Sequence, residues 1–495
     1  MQTLKFLKGV KGFESIRDSF KTRQVKYGGY AALMTLAVIV GLLLINLIID
    51  QFSLQVDMTE NRIFSLSQQS LQVADGINTP VNIFGIWRPG ERMPLPNNRD
   101  YIDDILAVVN LYTSRNSNIT MQVIDPDRNP GFVMSYDVDR RGISRGSVIV
   151  EGANGFRVIS PEEMYDFTPI HGGFTLAGVA IERRITSALL FVSAGITPVV
   201  YEIIGHDSLP LAAIGMLEEL ERDNIALGAI NLLVSPIPAN VSALILNHPQ
   251  RDLAPAEAER LIEFLGGGGS LLVMADYYIR ELYNLNTVFA SYGFMFDYGI
   301  LNEADPTFAV FDERSIWPDV ILHDITQPLM DRNETPIILF EAMSISTVEP
   351  MRQTIEFAPL LRSSPAAFLR TDLNETSPTR LLSDIPGPLT LAAAVKDPSL
   401  AHDGEPQARI VVIGSGTLLP LAAGGFLGNR DLFLNSLAWL QDRPESITVR
   451  SKSLLLLPLR LNAAQIVVFG GLFIFVIPLA FFAAGFVTWL KRRHL

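Results

Sequence analysis

Thr197-Pro198-Val199-Val200-Tyr201-Glu202-Ile203-Ile204-Gly205-His206-Asp207 reads as a buried strand that ends in Gly-His, and the elements downstream of it set the fold class. There the pattern predicts a helix (Leu211–Asp223), two strands (Ala226–Leu232 and Ala243–Asn247), a helix (Pro255–Leu265) and a strand (Ser270–Ala275). The core resumes at Arg409–Ile413, turns through Gly414-Ser415-Gly416-Thr417, and closes with a helix that Asn429 opens and Leu440 ends. Alternation of this kind predicts a parallel, doubly wound sheet. Residues 277–400 are less regular and rich in proline, with strands expected at 354–361 and 388–395; they read as an insertion or small subdomain.

Ligands of a doubly wound sheet bind beyond the carboxyl ends of its strands. The side chains that fall there are His206, Asp207, His248, Asp276, Ser415 and Thr417, with Asn429, Asp431 and Asn435 approaching from the last helix. A polar cleft is the expectation; these residues either bind a small ligand or glycan there or serve only as turn-formers and helix caps. Catalysis is not expected, because the chain has no cysteine to serve as an amidotransferase nucleophile. A serine triad of Ser415, His206 or His248, and Asp276 lacks the G-x-S-x-G elbow that would support it.

Gly266-Gly267-Gly268-Gly269 comes after a helix and before a strand, the wrong order for a phosphate cradle and the right one for a helix C-cap and turn. Gly414–Thr417 has the correct polarity but no Gly-Lys-Ser/Thr after it, so it is no Walker A motif. The six histidines never stand in an H-x-H or H-x-x-x-H spacing; neither a metal nor a cofactor is expected.

On either side of this polar sequence, Gly28–Ile49 and Leu461–Leu490 carry no charge, and each is long enough to cross a bilayer. Pro478 in the second is tolerable where neighbours re-satisfy the freed carbonyl. Seven basic groups precede the first run and Lys491-Arg492-Arg493 stand after the second, which puts both termini in the cytoplasm. Residues 50–460 hold 29 basic against 50 acidic groups, a net charge of about −21, and such a domain repels nucleic acid. Phe6, Val10, Phe13, Ile16 and Phe20 recur at helical spacing among the basic groups of residues 1–27, as in a helix lying on the membrane surface.

Just beyond the first run stands Asp57-Met58-Thr59-Glu60-Asn61-Arg62-Ile63-Phe64-Ser65-Leu66-Ser67, then a helix to Gly76 and the strand Val81–Trp87. This pattern resembles the GldG-like auxiliary subunits of ABC-2-type transporters, named after gliding motility. The likeness continues through a helix from Arg99-Asp100-Tyr101 to about Asn116, the strand Ile119–Asp125, a hairpin of Ser147–Gly152 with Phe156–Ser160, and a helix at 177–193. That order is thioredoxin-like, with Arg88-Pro89-Gly90-Glu91 where a redox member carries Cys-x-x-Cys.

The resemblance implies a thioredoxin-like domain at 50–194. It also implies a flavodoxin-like domain at 195–445, similar to class I glutamine amidotransferases, with the irregular insertion at 277–400. A linker at 446–460 leads to the second span (461–490) and a cytoplasmic tail (491–495), mirroring the basic segment 1–27 and first span 28–49. The function implied is a non-catalytic subunit of the bacterial inner membrane, its exported domain over an ABC-2-type permease powered by a separate ATPase. Its other partners are the lipid bilayer and an envelope glycan or protein. The rival reading is a membrane-anchored enzyme or glycan-binding envelope protein using the cleft near His206 and Asp276.

Overall fold

The computed structural model describes residues 30, 33–42, 65–95, 99–138, 140, 142–170, 173–195, 197–277, 282–330, 336–398, 407–442, 449, 452–453 and 463–493. The chain divides into two units, Met1–Thr59 and Glu60–Leu495. In the first, Leu33–Leu42 is an apolar, largely exposed helix, too short by itself to span a bilayer. The remainder of the span expected at 28–49, the basic segment 1–27 and most of the motif from Asp57 to Ser67 lie outside the described residues.

The second unit opens with α1 (Gln68–Gly76), whose N-cap Ser67 accepts the Ser70 N–H. Next come β1 (Val81–Ile86), α2 (Tyr101–Arg115), β2 (Ile119–Ile124), α3 (Pro130–Tyr136), β3 (Val148–Gly152) and β4 (Gly155–Ile159). The sheet order is β2-β1-β3-β4, with β1 parallel to β2 and antiparallel to β3. Alternation along β1 sends Val81 and Ile83 to one face and Phe84 and Ile86 to the other. The first face packs on Ile105, Val109 and Tyr112 of α2 and on Ile185, Leu189 and Val192 of α4 (Ile181–Ala194). The second is capped by Phe132 and Tyr136 of the unanticipated α3. A hairpin of β5 (Tyr165–Ile170) and β6 (Gly173–Val179) precedes α4, so the helix expected from 177 begins at Ile181.

Then come β7 (Val199–Ile203), α5 (Met216–Arg222), β8 (Ala226–Ile230), β9 (Val241–Asn247), α6 (Pro255–Gly266) and β10 (Ser270–Met274). Residues 277–400, expected to be an irregular insertion, supply α7 (Tyr283–Ala290), β11 (Phe294–Asp297), β12 (Ser344–Thr347), β13 (Glu356–Arg362) and β14 (Thr390–Asp397) among shorter strands. β15 (Ala408–Ile413), α8 (Leu418–Ala423) and α9 (Leu427–Leu440) complete the core.

The ten-stranded sheet runs β11-β12-β14-β15-β10-β9-β7-β8, with β13 beside β14 and the short strand Asp319–Val320 beside β13. β15, β10, β9, β7 and β8 are parallel, whereas β14 pairs antiparallel to β15. The expectation of a parallel doubly wound sheet is therefore corrected to a mixed sheet: the segment read as an insertion extends it. Both faces are covered, which is why β10 is buried at every residue. Leu272 and Met274 face α5 and α9, and Leu271 and Val273 face α6 and α7.

At the C-terminal end, Val467–Leu490 is the one helix among the described residues long and apolar enough to cross a membrane. A π-helical turn at Leu472–Val476 ends two residues before Pro478, a local adjustment that a proline's missing N–H favours. Two flanking spans were expected; one is described.

Candidate functional site

Because β15, β10, β9 and β7 are neighbours, their carboxyl ends line up the Gly414–Thr417 turn, Asp276, His248 and His206 along one edge. His248 Nε2 lies 2.7 Å from the buried Asp276 carboxylate. Gly416 sits on this pair so closely that an added Cβ would be 2.3 Å from the imidazole. His206 Nε2 meets Glu257 at 2.9 Å, and the same carboxylate oxygen accepts the Ala254 N–H at the start of α6. Asp207 pairs with Arg251 at 2.8 Å in solvent.

Asp207, His248 and Glu341 all have positive φ (51°, 46° and 49°), so three strained non-glycine residues gather at this end. Glu341 reaches it through Tyr277, whose hydroxyl donates to its carboxylate. Sequence reasoning missed this contribution, since Glu341 comes from the segment read as an insertion.

Ser415 does not complete a triad. Its hydroxyl donates to the Phe340 carbonyl at 3.0 Å and contacts the Thr417 hydroxyl at 2.9 Å. His206 faces Glu257 rather than Asp276.

Three expected members of the cleft lie elsewhere. Asn429 is fully buried and clamps Ile338, accepting its N–H and donating to its carbonyl, each at 2.8 Å. Asn435 donates to the Ile325 carbonyl. Asp431 belongs to a buried charge cluster with Arg183 and Arg430. The physical reason is common to all three: α9 is buried almost all round, so its polar groups must find partners within the protein.

That charge cluster joins the β5–β6 hairpin and α4 to α5 and α9. Arg430 of α9 holds Asp166 of β5 at 2.6 Å, Arg183 holds Asp223 at 2.9 Å, and Arg184 holds Glu219 at 3.2 Å. Burial opposes the Arg430 charge, yet Asp166 and Glu219 keep its pKa well above the usual value. Burial likewise raises the Glu219 carboxyl, but Arg430, Arg184, Arg183 and Arg222 together hold it far below the ordinary carboxylate range.

The residue before Arg183 does something different. Glu182 Oε1 accepts the Ser67 N–H at 2.6 Å, and Oε2 lies 2.8 Å from Lys452 Nζ. Lys452 also donates to the Ser65 carbonyl and stands in a short strand against β6. The chain leaving the first apolar run and the chain approaching the second thus meet on one buried carboxylate, 387 residues apart in sequence. The signal was present in Ile181-Glu182-Arg183-Arg184-Ile185, three charges inside an apolar helical pattern.

Residues 197–436 match a family described as an ABC-type uncharacterized transport system. The match, over just under half of the chain, supports an auxiliary component of an ABC-type transport system that partners other transporter components. The apolar C-terminal helix is compatible with membrane anchoring. No curated protein matches the chain. Among solved structures, the mmIFT52 N-terminal domain is similar at 15% identity and a TM-score of 0.36, covering 49% of this chain and 97% of that one. A cytoplasmic protein of Salmonella typhimurium is similar at 13% identity and 0.27, covering 49% and 98%. An exo-beta-1,4-mannosidase from Opitutaceae bacterium strain TAV5 is similar at 10% and 0.25, covering 71% and 50%. Scores this low fix no fold.

Proposed function

We propose that the chain is a non-catalytic, GldG-like auxiliary subunit of an ABC-2-type transporter, anchored in the bacterial inner membrane by two spans with both termini cytoplasmic. The carrying observation is the meeting of Ser67 and Lys452 on Glu182, with Lys452 also donating to the Ser65 carbonyl. It brings together Ser65 and Ser67, which follow the first apolar run in sequence, and Lys452, which precedes the second. The sheet order β2-β1-β3-β4 supports a thioredoxin-like first domain, and the five parallel strands with covered faces support a flavodoxin-like second one. Permease and ATPase are separate chains; the exported part receives substrate, gates the exit or docks an envelope partner.

The cleft residues His206, Asp207, His248, Asp276, Ser415 and Thr417 form, in this reading, a self-paired edge whose ligand is secondary to the scaffold. Replacing His206 and Asp276 by alanine together tests it. Unchanged transport with an intact complex supports the scaffold, and lost transport with the complex intact overturns it in favour of a working site. Because the chain has no cysteine, cysteines placed at Lys5 and Met134 report topology: labelling of Lys5→Cys from the cytoplasm and of Met134→Cys from outside is expected.

A further inference from the structure

Opposite the polar edge, at the amino ends of the same parallel strands, lies a cavity of about 1260 Å³. It exceeds the several hundred Å³ of an ordinary small-molecule pocket. Its floor includes Ser270 of β10 and its rim includes Gly267, Gly268 and Gly269, the glycine run that a phosphate reading does not fit. Gly269 carries no side chain for a physical reason: a Cβ there would lie 2.5 Å from the Phe264 ring, which forms one wall. Ile237 and Pro238 supply more apolar wall.

Among the described residues, four polar groups on this lining lack partners. Gln407 Oε1 and Gln441 Nε2 are buried and find no hydrogen-bond partner there. Among the described residues, the side chains of Lys396 and Glu263 have no hydrogen bond or ion pair. The other lining cations are engaged: Arg260 donates to the Leu232 carbonyl, and Arg409 donates to Trp439 and Asp442. An orphaned buried amide costs free energy unless something satisfies it.

The unpaired set is one acceptor, one donor, one cation and one anion. A short peptide with free termini presents the complement of each: an N–H, a carbonyl, a carboxylate and an ammonium. Glu263 also sits on the last turn of α6 (Pro255–Gly266), where carbonyl groups gather at the negative end of the helix and favour an ammonium group. We propose that this cavity binds short peptides by both ends. Glu263 takes the amino terminus, Lys396 the carboxylate, and Gln407 and Gln441 turn their amides onto the peptide backbone. Nothing in this depends on the transport reading; a chain that binds peptide without any transporter partner keeps the site.

The test is titration calorimetry of the full chain in detergent with tetraalanine, its N-acetyl form and its C-amide form. Saturable binding is expected, weakened at least tenfold by blocking either end. Glu263→Gln should abolish the penalty for acetylation alone, and Lys396→Ala the penalty for amidation alone. Both variants alter solvent-reachable groups and should melt like the parent, so a lost signal reports the site rather than the fold. No saturation at millimolar tetraalanine, equal affinity for the blocked forms, or preferential binding of a neutral oligosaccharide of similar size would each overturn the assignment.

Discussion

Glu182→Ala should be among the costliest single substitutions in the chain, and three atoms set its size. The Ser67 N–H loses its acceptor at 2.6 Å in a partly buried position, which costs about 1 kcal/mol, the low end for an unpaired donor. Lys452 loses a carboxylate at 2.8 Å, with side-chain exposures of 14% and 3% for the two partners. Breaking a buried pair costs about 3–5 kcal/mol, and the low end applies because Lys452 keeps the Ser65 carbonyl. A total of about 4 kcal/mol is expected, a large share of a domain's stability of about 5–15 kcal/mol. Urea unfolding of the detergent-solubilised chain reads it, with buried Trp87 in the same core as reporter. Lys452→Met should cost about 3 kcal/mol, and the double variant less than the sum by about 2 kcal/mol if the two groups act as a pair. A cost under about 1 kcal/mol for Glu182→Ala, or strict additivity, would refute the reasoning that this carboxylate ties Ser67 to Lys452.

Gly416→Ala forces a Cβ to 2.3 Å from His248 and 2.6 Å from Asp276; a loss of about 1–3 kcal/mol in thermal unfolding is expected for overpacking of this kind. Asn429→Ala strips both bonds from Ile338 and should cost about 1–3 kcal/mol, whereas a ligand-binding role alone would leave the melting temperature unchanged. Glu219 has a depressed folded pKa, so its contribution is complete above the unfolded value of 4.5 and disappears as pH falls through the lower folded value. The parent should therefore lose stability steeply toward acid, and Glu219→Gln should be less stable at neutrality with a flatter acid limb.

Which parts of this architecture the sequence discloses depends on what each residue's neighbours are. β10 and β15 declare themselves, because a strand buried on both faces must be apolar throughout, and Ser270–Met274 and Arg409–Ile413 nearly are. β14 is equally buried, but the prolines before it hide that it returns antiparallel against β15; direction is a property of pairing, not of local pattern. His206, His248 and Asp276 fall at the strand edge as expected because each comes just after a legible strand. Asn429 and Asp431 mislead for the opposite reason: they look like site residues since they are polar, and they are polar since α9, enclosed on nearly all sides, must bond to loops and to Arg183 and Arg430. Glu182 and Lys452 carry no short-range sign of each other at all. Only the fold brings them together.

The central claim is that this chain works as part of a transporter, and purification of a tagged copy from native membranes in mild detergent addresses it most directly. Intact-mass and peptide analysis of the complex should find an ABC-2-type permease and a separate ATPase in fixed ratio to the chain. They should persist in the Gly416→Ala variant, whose defect lies at the polar strand edge and not in the apolar C-terminal helix. Recovery of the chain without either protein, under conditions that preserve other membrane complexes in the same extract, would contradict the account.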